Sequence, residues 1–263
     1  MKKYAIGFFG AGKMAEGILA AVEDKSSVIM AEKVPERAAE LARRYPVAVT
    51  ADPAEVAKSA ALIFLSVKPQ DVEAVALQTK ALLRPSQTLV SIVAGKTISR
   101  LRKAFGPKVK IVRVMPNLAL RANAGMCAIC AAANAKPSDV KKVEKILGAA
   151  GETAVLREKD FDAVTALSGS GPAYFAYMEE AMVEGAVKLG LKRGVARLLA
   201  EQTMYGTAKY LRESGADLGG FIAGVCTKGG TTAAGMTRLS DPRFKQIVAD
   251  TLAAAAARSK ELR

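Results

Sequence analysis

Near its start the chain carries a glycine-rich turn, Gly10-Ala11-Gly12-Lys13-Met14-Ala15, between an apolar run at residues 5–9 and a helical stretch. Glycine at positions 10 and 12 allows a tight turn and a close approach of the backbone to a pyrophosphate, and Ala15 lets the helix pack on the strand. Free N–H groups at the start of such a helix attract phosphate. The pattern favours a dinucleotide site over the alternative, a glycine-rich turn in another kind of α/β protein.

A second segment, at residues 166–174, places Ser168 and Ser170 among glycines just before Pro172. Its order is not G-x-S-x-G, and the sequence has no histidine to serve as a base, so it argues against serine hydrolysis. Small residues in this order predict either backbone held close to a ligand or a close crossing of helices.

The third segment is Thr227-Lys228-Gly229-Gly230-Thr231-Thr232, which precedes a helical stretch. Successive N–H groups of a glycine turn at a helix N-terminus form a pocket that suits a carboxylate. The alternative is a capped helix start with flexible glycines.

Alternating texture predicts the elements that position these segments. Apolar runs at residues 5–9, 28–31, 47–50, 62–67, 88–93, 110–115, 125–132 and 153–156 read as strands, and residues 14–22, 36–45, 53–59, 70–83 and 98–105 as helices. This alternation predicts a parallel sheet with helices on both faces. From residue 160 onward the predicted elements are all helices, at residues 161–167, 172–189, 193–214, 219–225, 231–239 and 244–262.

We therefore expect an α/β region followed by an all-α region. The first is a Rossmann-like, doubly wound, dinucleotide-binding domain over residues 1–156. The second is a helical domain over residues 157–263, whose small residues at helix crossings and amphipathic faces suggest a subunit interface.

The end of the second predicted strand bears on the choice of cofactor. An acidic residue about 20 positions after the glycines suits the ribose 2′-hydroxyl of NAD, whereas a cation suits the 2′-phosphate of NADP. Glu32 and Lys33 stand there side by side and predict opposite answers. Both cofactors stay open at this point, as does the reading that the two residues are solvated loop charges.

Composition narrows the class of protein. The net charge of +14 comes from basic residues interleaved with acidic ones, and aromatic residues make up 5% of the chain, so we expect anionic small molecules as partners and no nucleic acid. The longest apolar runs are shorter than the ~20 residues that span a bilayer, and no secretory leader is visible. We expect a cytoplasmic protein without membrane partners.

A tetrahedral zinc site needs four ligands, and the sequence has no histidine and no second C-x-x-C pair, so we predict no metal site. Cys127 and Cys130 have C-x-x-C spacing but lie in a predicted strand, where their side chains face opposite sides. We interpret both as structural.

The three segments together resemble the pyrroline-5-carboxylate reductase family over nearly the whole chain. Two further segments carry the likeness: residues 66–70, similar to the family's V-K-P-Q, and residues 113–117, which match R-x-M-P-N. The resemblance implies reduction of 1-pyrroline-5-carboxylate to L-proline by NADH or NADPH, the last step of proline biosynthesis, in a homodimer or a larger assembly built from dimers.

The resemblance also assigns roles to residues. For the cofactor it implies Phe9, Gly10, Ala11, Gly12, Lys13, Met14, Glu32, Lys33, Ser66, Val67, Lys68, Pro69, Ile92, Val93, Ala94, Gly95, Pro116 and Asn117. For the imino acid it implies Glu158, Ser168, Ser170, Thr227, Gly229, Gly230, Thr231 and Thr232, with Thr232 facing the ring nitrogen.

The chain departs from the family pattern at several positions, which are Pro53, Leu118, Ala119, Gly224 and Lys228. The family commonly has asparagine, threonine, proline, a side-chain amide and proline there. The ring size of the substrate and the direction of the reaction therefore stay open. Alternatives are a reductase of another cyclic imine, a 3-hydroxyacid dehydrogenase-like enzyme, although no G-x-x-x-K helix is found, and a non-catalytic dinucleotide-sensing module.

Overall fold

The computed structural model describes residues 2–263; Met1, the first residue of the predicted N-terminal domain, lies outside them. Eight strands form one sheet with the order β3-β2-β1-β4-β5-β6-β7-β8. They are β1 (Tyr4–Phe9), β2 (Val28–Ala31), β3 (Ala48–Thr50), β4 (Ala60–Leu65), β5 (Thr88–Ser91), β6 (Lys110–Pro116), β7 (Gly125–Ala131) and β8 (Gly151–Val155). Each lies where the sequence predicts a strand.

The predicted parallel sheet contains one antiparallel pair. β6 and β7 run antiparallel, with Arg113 opposite Cys130, while every other neighbouring pair in the described sheet is parallel. A short 3-10 helix, Leu118–Ala122, connects them. A parallel crossover needs a dozen or more residues, so this connection is too short to return the chain to the other end of the sheet.

Helices flank the sheet in the first part of the chain. They are α1 (Lys13–Ala21), α2 (Pro35–Arg44), α3 (Pro53–Ser59), α4 (Val72–Thr79), α5 (Ile98–Phe105), α6 (Pro137–Gly148) and α7 (Phe161–Val164), which continues into a π-helical turn at Thr165–Gly169. No helix is predicted from the sequence at α6. Its start is nevertheless marked by Pro137 in the first turn and by the bond from Lys136 N–H to Asp139 Oδ2 (2.9 Å).

An apolar core lies on each face of the sheet, between the sheet and the helices that cover it. Phe8 packs with Ile18 of α1 and Val143 of α6, and its ring stacks on that of Phe64 with 5.0 Å between centroids. Phe9, the next residue, packs on the other face with elements that include α3, α4 and α5. This alternation is that of a doubly wound sheet.

The contacts divide the chain into two compact units. The first contains the chain up to Ser170 together with Ala255–Arg263, and the second is Gly171–Ala254. This differs from the predicted division after residue 156. Phe161 is buried with Ala128 and Cys130 of β7, and Asp162 accepts hydrogen bonds from Ser259 and Arg263, so both segments pack with the sheet.

The second unit contains α8 (Gly171–Lys188), α9 (Arg193–Ser214), α10 (Leu218–Val225), α11 (Thr231–Leu239) and most of α12 (Pro242–Glu261). α8 and α9 pack together through Val183, Ala196 and Ala200. Among the helices of residues 2–263, none has the length and apolar character needed to cross a bilayer.

Candidate active site

A cleft with a volume of ≈ 350 Å³ opens at the carboxyl ends of β1, β2 and β4. The order of the strands reverses between β1 and β4, and ligands of open α/β sheets bind at such a point. The lining consists of Phe9, Gly10, Ala11, Gly12, Ala31, Glu32, Lys33, Ala51, Pro53, Ser66, Val67, Lys68, Asp71, Ala74, Val75 and Gln78.

The two glycines of the turn lie in different surroundings, one closely packed and one open. Gly10 has a φ of +90°, and a Cβ there would lie 2.9 Å from Ser66 O and from Val67 Cγ1, so the turn packs tightly on the end of β4. At Gly12, by contrast, a Cβ would meet no described atom within 4 Å. Gly12 is the N-cap of α1 and no side chain caps the helix, so backbone N–H groups stay available to an anion.

The hydroxyl of Ser66 fastens the turn to β4. It lies 2.6 Å from Gly10 O and 3.1 Å from Phe9 O, and it donates to these carbonyls. Ser66 therefore shapes the cleft through the backbone of the glycine turn.

Side chains from the β2–α2 segment hold Ala11 on both sides. Its N–H donates to Glu32 Oε2 (3.3 Å), and its carbonyl accepts from Arg37 Nε (3.1 Å). Glu32 Oε1 also accepts from Val34 N–H (2.9 Å), whereas Lys33 is 81% exposed with its Nζ 3.9 Å from Asp71.

Behind Arg37 lies the buried carboxylate of Glu16, on α1. It accepts from Arg37 Nη2 at 2.6 Å and from the Tyr45 hydroxyl at 3.0 Å. Burial alone would raise the pKa of Glu16, but these hydrogen bonds, together with the positive charges of Arg37 and Arg44, outweigh it and hold the pKa below the ordinary value of 4.5. The ion pair therefore ties α1 to α2 beside the glycine turn.

Other predicted cofactor residues lie outside the lining of this cleft. Lys13 and Met14 begin α1, and Pro69 begins the 3-10 helix Pro69–Asp71. Pro116 ends β6, and Asn117 joins β6 to β7 because its Oδ1 accepts from Met126 N–H at 3.1 Å.

The loop after β5 contains Ile92, Val93, Ala94 and Gly95. Val93 is buried in the core, and Ala94 is exposed. Gly95 has a φ of +74°, and a Cβ there would lie 2.6 Å from Leu262 O, so the last turn of the chain backs this loop. Sequence patterns carried no sign of this contact.

The carboxylate of Glu158 bonds to two other segments of the first unit. Its Oε1 accepts from Ile98 N–H (2.7 Å) and from Arg113 Nη1 (2.9 Å), and the buried guanidinium of Arg113 lies over the Phe161 ring. These contacts join the start of α5 to β6, which is a structural role that the sequence did not reveal.

Ser168 lies in the π-helical turn, and its Oγ is buried without a hydrogen-bond partner among the described residues. A Cβ on the neighbouring Gly169 would lie 2.5 Å from Met115 Cε, so this turn packs closely on β6. Ser170 ends the turn, and its N–H donates to Thr165 O at 2.9 Å. π-helical turns occur often at functional sites, so the buried hydroxyl of Ser168 stays a candidate for a ligand contact.

In the second unit, Thr227 and Gly230 form a tight turn before α11. Gly230 N–H donates to Thr227 O (2.9 Å), and Gly229 has a φ of +74°. No side chain caps α11, so the N–H groups of its first turn, which starts at Thr231 and Thr232, stay free for an anion.

The cysteines match the structural interpretation. Cys127 and Cys130 are buried on opposite faces of β7, and burial raises the pKa of each thiol to about 12. Within the described residues, no three His, Cys, Asp or Glu side chains stand close enough to hold a metal ion.

Comparison with known proteins assigns the family. Residues 158–262 match the family described as pyrroline-5-carboxylate reductase dimerisation, and residues 5–95 match NADP oxidoreductase, coenzyme F420-dependent. The pyrroline-5-carboxylate reductase of Synechocystis is 37% identical over 98% of this chain and 97% of its own length. The chain belongs to the pyrroline-5-carboxylate reductase family.

Solved reductases share the whole fold. The Plasmodium falciparum pyrroline carboxylate reductase with NADP bound aligns with a TM-score of 0.87 and 30% identity, over 100% of this chain and 99% of its own. The Coxiella burnetii pyrroline-5-carboxylate reductase aligns with a TM-score of 0.93 and 29% identity, over 99% of each chain. The Rossmann-like sheet followed by a helical dimerisation region is thereby confirmed, and the reductase depends on NAD(P)H.

Some lining residues of the reductase were not predicted as contacts: Ala31, Ala51, Asp71, Ala74, Val75 and Gln78. Pro53, where the family commonly has asparagine, also lines the cleft. The first turns of α3 and α4 follow β3 and β4, so positions just past each strand end would have identified part of this set.

Proposed function

We propose that the reductase converts 1-pyrroline-5-carboxylate to L-proline in the cytoplasm. Similarity to pyrroline-5-carboxylate reductases over nearly the whole chain supports the reaction. The observation in the structure that favours it is the cleft at the glycine turn, where the strand order reverses and a dinucleotide can bind. When bound, NAD(P)H supplies the hydride that reduces the imine carbon.

The cleft fits a dinucleotide by its own geometry. The open space at Gly12 and the uncapped start of α1 suit a pyrophosphate, and Glu32 and Lys33 stand at the end of β2, where the adenosine ribose lies in this fold. The proposed cofactor contacts are Phe9, Gly10, Ala11, Gly12, Lys13, Met14, Glu32, Lys33, Ser66, Val67, Lys68, Pro69, Ile92, Val93, Ala94, Gly95, Pro116 and Asn117.

The protein needs little chemistry of its own. A protonated cyclic imine is already electrophilic at carbon, so the chain has to hold the two reactants face to face at ~3–3.5 Å and neutralise the substrate carboxylate. We assign the carboxylate to the uncapped turn of Thr227, Gly229, Gly230 and Thr231, and the ring nitrogen to the hydroxyl of Thr232.

Ser168 and Ser170 are proposed as further contacts of the imino acid. The buried, unpartnered hydroxyl of Ser168 supports its assignment. Glu158 is proposed at the edge of the same binding site, although its Oε1 is committed to Ile98 N–H and Arg113.

We propose residues 1–156 as the functional dinucleotide-binding domain and residues 157–263 as the domain for dimerisation and substrate. The match of residues 158–262 to the dimerisation family supports the second. We propose a homodimer, or a larger homo-oligomer that is built from such dimers.

A substrate panel tests the proposed reaction. Purified full-length chain should oxidise NADH or NADPH with 1-pyrroline-5-carboxylate and form proline. It should act much more slowly on the six-membered cyclic imino acid and, when supplied with NAD⁺ or NADP⁺, on 3-hydroxyacids. Faster turnover of either competitor would reassign the substrate, and cofactor binding without turnover of any of them would identify a sensor.

A further inference from the structure

One of the two opposite charges at the end of β2 is fixed in place. Glu32 accepts from Ala11 N–H through Oε2 (3.3 Å) and from Val34 N–H through Oε1 (2.9 Å). Because both oxygens are bonded to backbone that frames the cleft, the carboxylate cannot turn away from it without losing both bonds.

Lys33 is not fixed in this way. Its side chain is 81% exposed, and its nearest acidic partner, Asp71, belongs to the same lining. To bind a phosphate, this lysine would have to leave water, lose rotamer freedom and compete with that carboxylate.

Arg37, which donates to the turn, has all three of its guanidinium nitrogens engaged. Nε donates to Ala11 O, Nη2 to Glu16 and Nη1 to Glu40 (2.7 Å). Lys68, the other cation of the lining, follows β4. Strand β1 lies between β4 and β2, so Lys68 is not next to the end of β2. None of Lys33, Arg37 and Lys68 is therefore both free and fixed beside Glu32.

We propose that this reductase selects NADH over NADPH through Glu32. The carboxylate accepts a hydrogen bond from the 2′-hydroxyl of the adenosine ribose and repels a 2′-phosphate at the same place. The inference rests on the proposed cofactor cleft, and it is independent of which imino acid is reduced.

Calorimetric titration of the full-length chain with NADH and with NADPH, without substrate, tests the selection. The unaltered chain should bind NADH at least about tenfold more tightly than NADPH, the effect of one charged hydrogen bond gained or lost. Glu32→Ser should reverse or abolish that ratio. Glu32→Gln keeps the size of the side chain and removes its charge, so it should shift the ratio in the same direction if the serine variant fails to fold.

The matched control is Glu36→Ser, which removes an exposed carboxylate from the first turn of α2, outside the lining. It should leave the ratio unchanged. Equal or tighter binding of NADPH by the unaltered chain would overturn the proposal, as would a ratio that neither Glu32 variant moves. Binding of neither cofactor would refute the cleft itself, whereas tight NADH binding without turnover of 1-pyrroline-5-carboxylate would refute only the proposed reaction.

Discussion

The hydroxyl of Ser168 is buried in a π-helical turn and has no hydrogen-bond partner in the described chain. Leaving such a group unsatisfied costs about 1–3 kcal/mol of stability. A ligand that supplies the missing hydrogen-bond partner at this predicted substrate position would recover that free energy on binding.

Replacing this hydroxyl should separate stability from activity. We expect Ser168→Ala to leave the Tm unchanged or raise it, because an unsatisfied group is removed, while KM for the imino acid increases severalfold. Thermal unfolding and steady-state kinetics measure the two effects.

Ser59→Ala is the matched control for Ser168→Ala. The buried Ser59 donates to Glu55 O at 2.6 Å, so its loss should lower Tm and leave KM unchanged. A fall in Tm with normal KM for Ser168→Ala would mean that this hydroxyl serves the fold.

Thr232 tests the substrate turn at the same scale. Thr232→Ala should lower turnover at least tenfold, which corresponds to the ~1.4 kcal/mol of one lost hydrogen bond, with little change in cofactor affinity. Thr237→Ala, on the same helix, removes a hydroxyl that donates to Ala234 O and should leave turnover unchanged. A parallel loss of cofactor binding by Thr232→Ala would contradict the assignment to the imino acid.

At the scale of elements, hydrogen bonds from side chains of several neighbouring elements fix the position of the glycine turn. Ser66 fixes the turn from β4, while Glu32 and Arg37 fix the two sides of Ala11. Glu16 joins α1 to α2 through Arg37, so side chains of the chain itself hold the backbone that we propose to bind phosphate.

The depressed pKa of Glu16 makes this junction sensitive to acid. A carboxylate whose pKa is lowered by folding stabilises the folded state above its unfolded pKa, and the gain disappears as pH falls through the lower folded value. Glu16→Gln should therefore cost about 1–3 kcal/mol of unfolding free energy near neutral pH, and the difference from the unaltered chain should shrink as pH falls below 4.5.

Denaturant unfolding of both chains at a series of pH values measures that difference. Glu36→Gln, at an exposed site without a hydrogen bond in the described chain, serves as its control and should show no such pH-dependent loss. A cost for Glu16→Gln that persists undiminished at low pH would show that shape, and not charge, makes this junction stable.

At the scale of the whole molecule, the second unit exposes many large apolar side chains. Among them are Phe175 (63%), Tyr177 (80%), Leu189 (89%) and Leu198 (66%), far more than a soluble helical unit normally leaves in water. Because residues 158–262 match the dimerisation family, we expect a second copy of the chain to cover this surface.

Charged substitutions on this surface should separate the copies. We expect the unaltered chain to sediment as a dimer or a larger species, and Tyr177→Asp and Leu198→Asp to shift it toward the monomer, because each buried apolar side chain contributes about 1.5–3 kcal/mol. Leu77→Asp changes a comparably exposed leucine of α4 and should leave the assembly intact. Sedimentation of all four chains as one species would contradict this surface as the interface.

The sequence by itself determined the strands, most helices and the glycine turn. The spacing of apolar residues and the backbone freedom of glycine predict these features because both are local properties of the chain. Tertiary structure decided the antiparallel pairing of β7, the packing of Ala255–Arg263 with the sheet and the structural roles of Glu158 and Asn117. It also separated the anchored Glu32 from the exposed Lys33, which are adjacent in sequence and equal as a pattern. These outcomes depend on contacts between residues far apart along the chain, which no local pattern records.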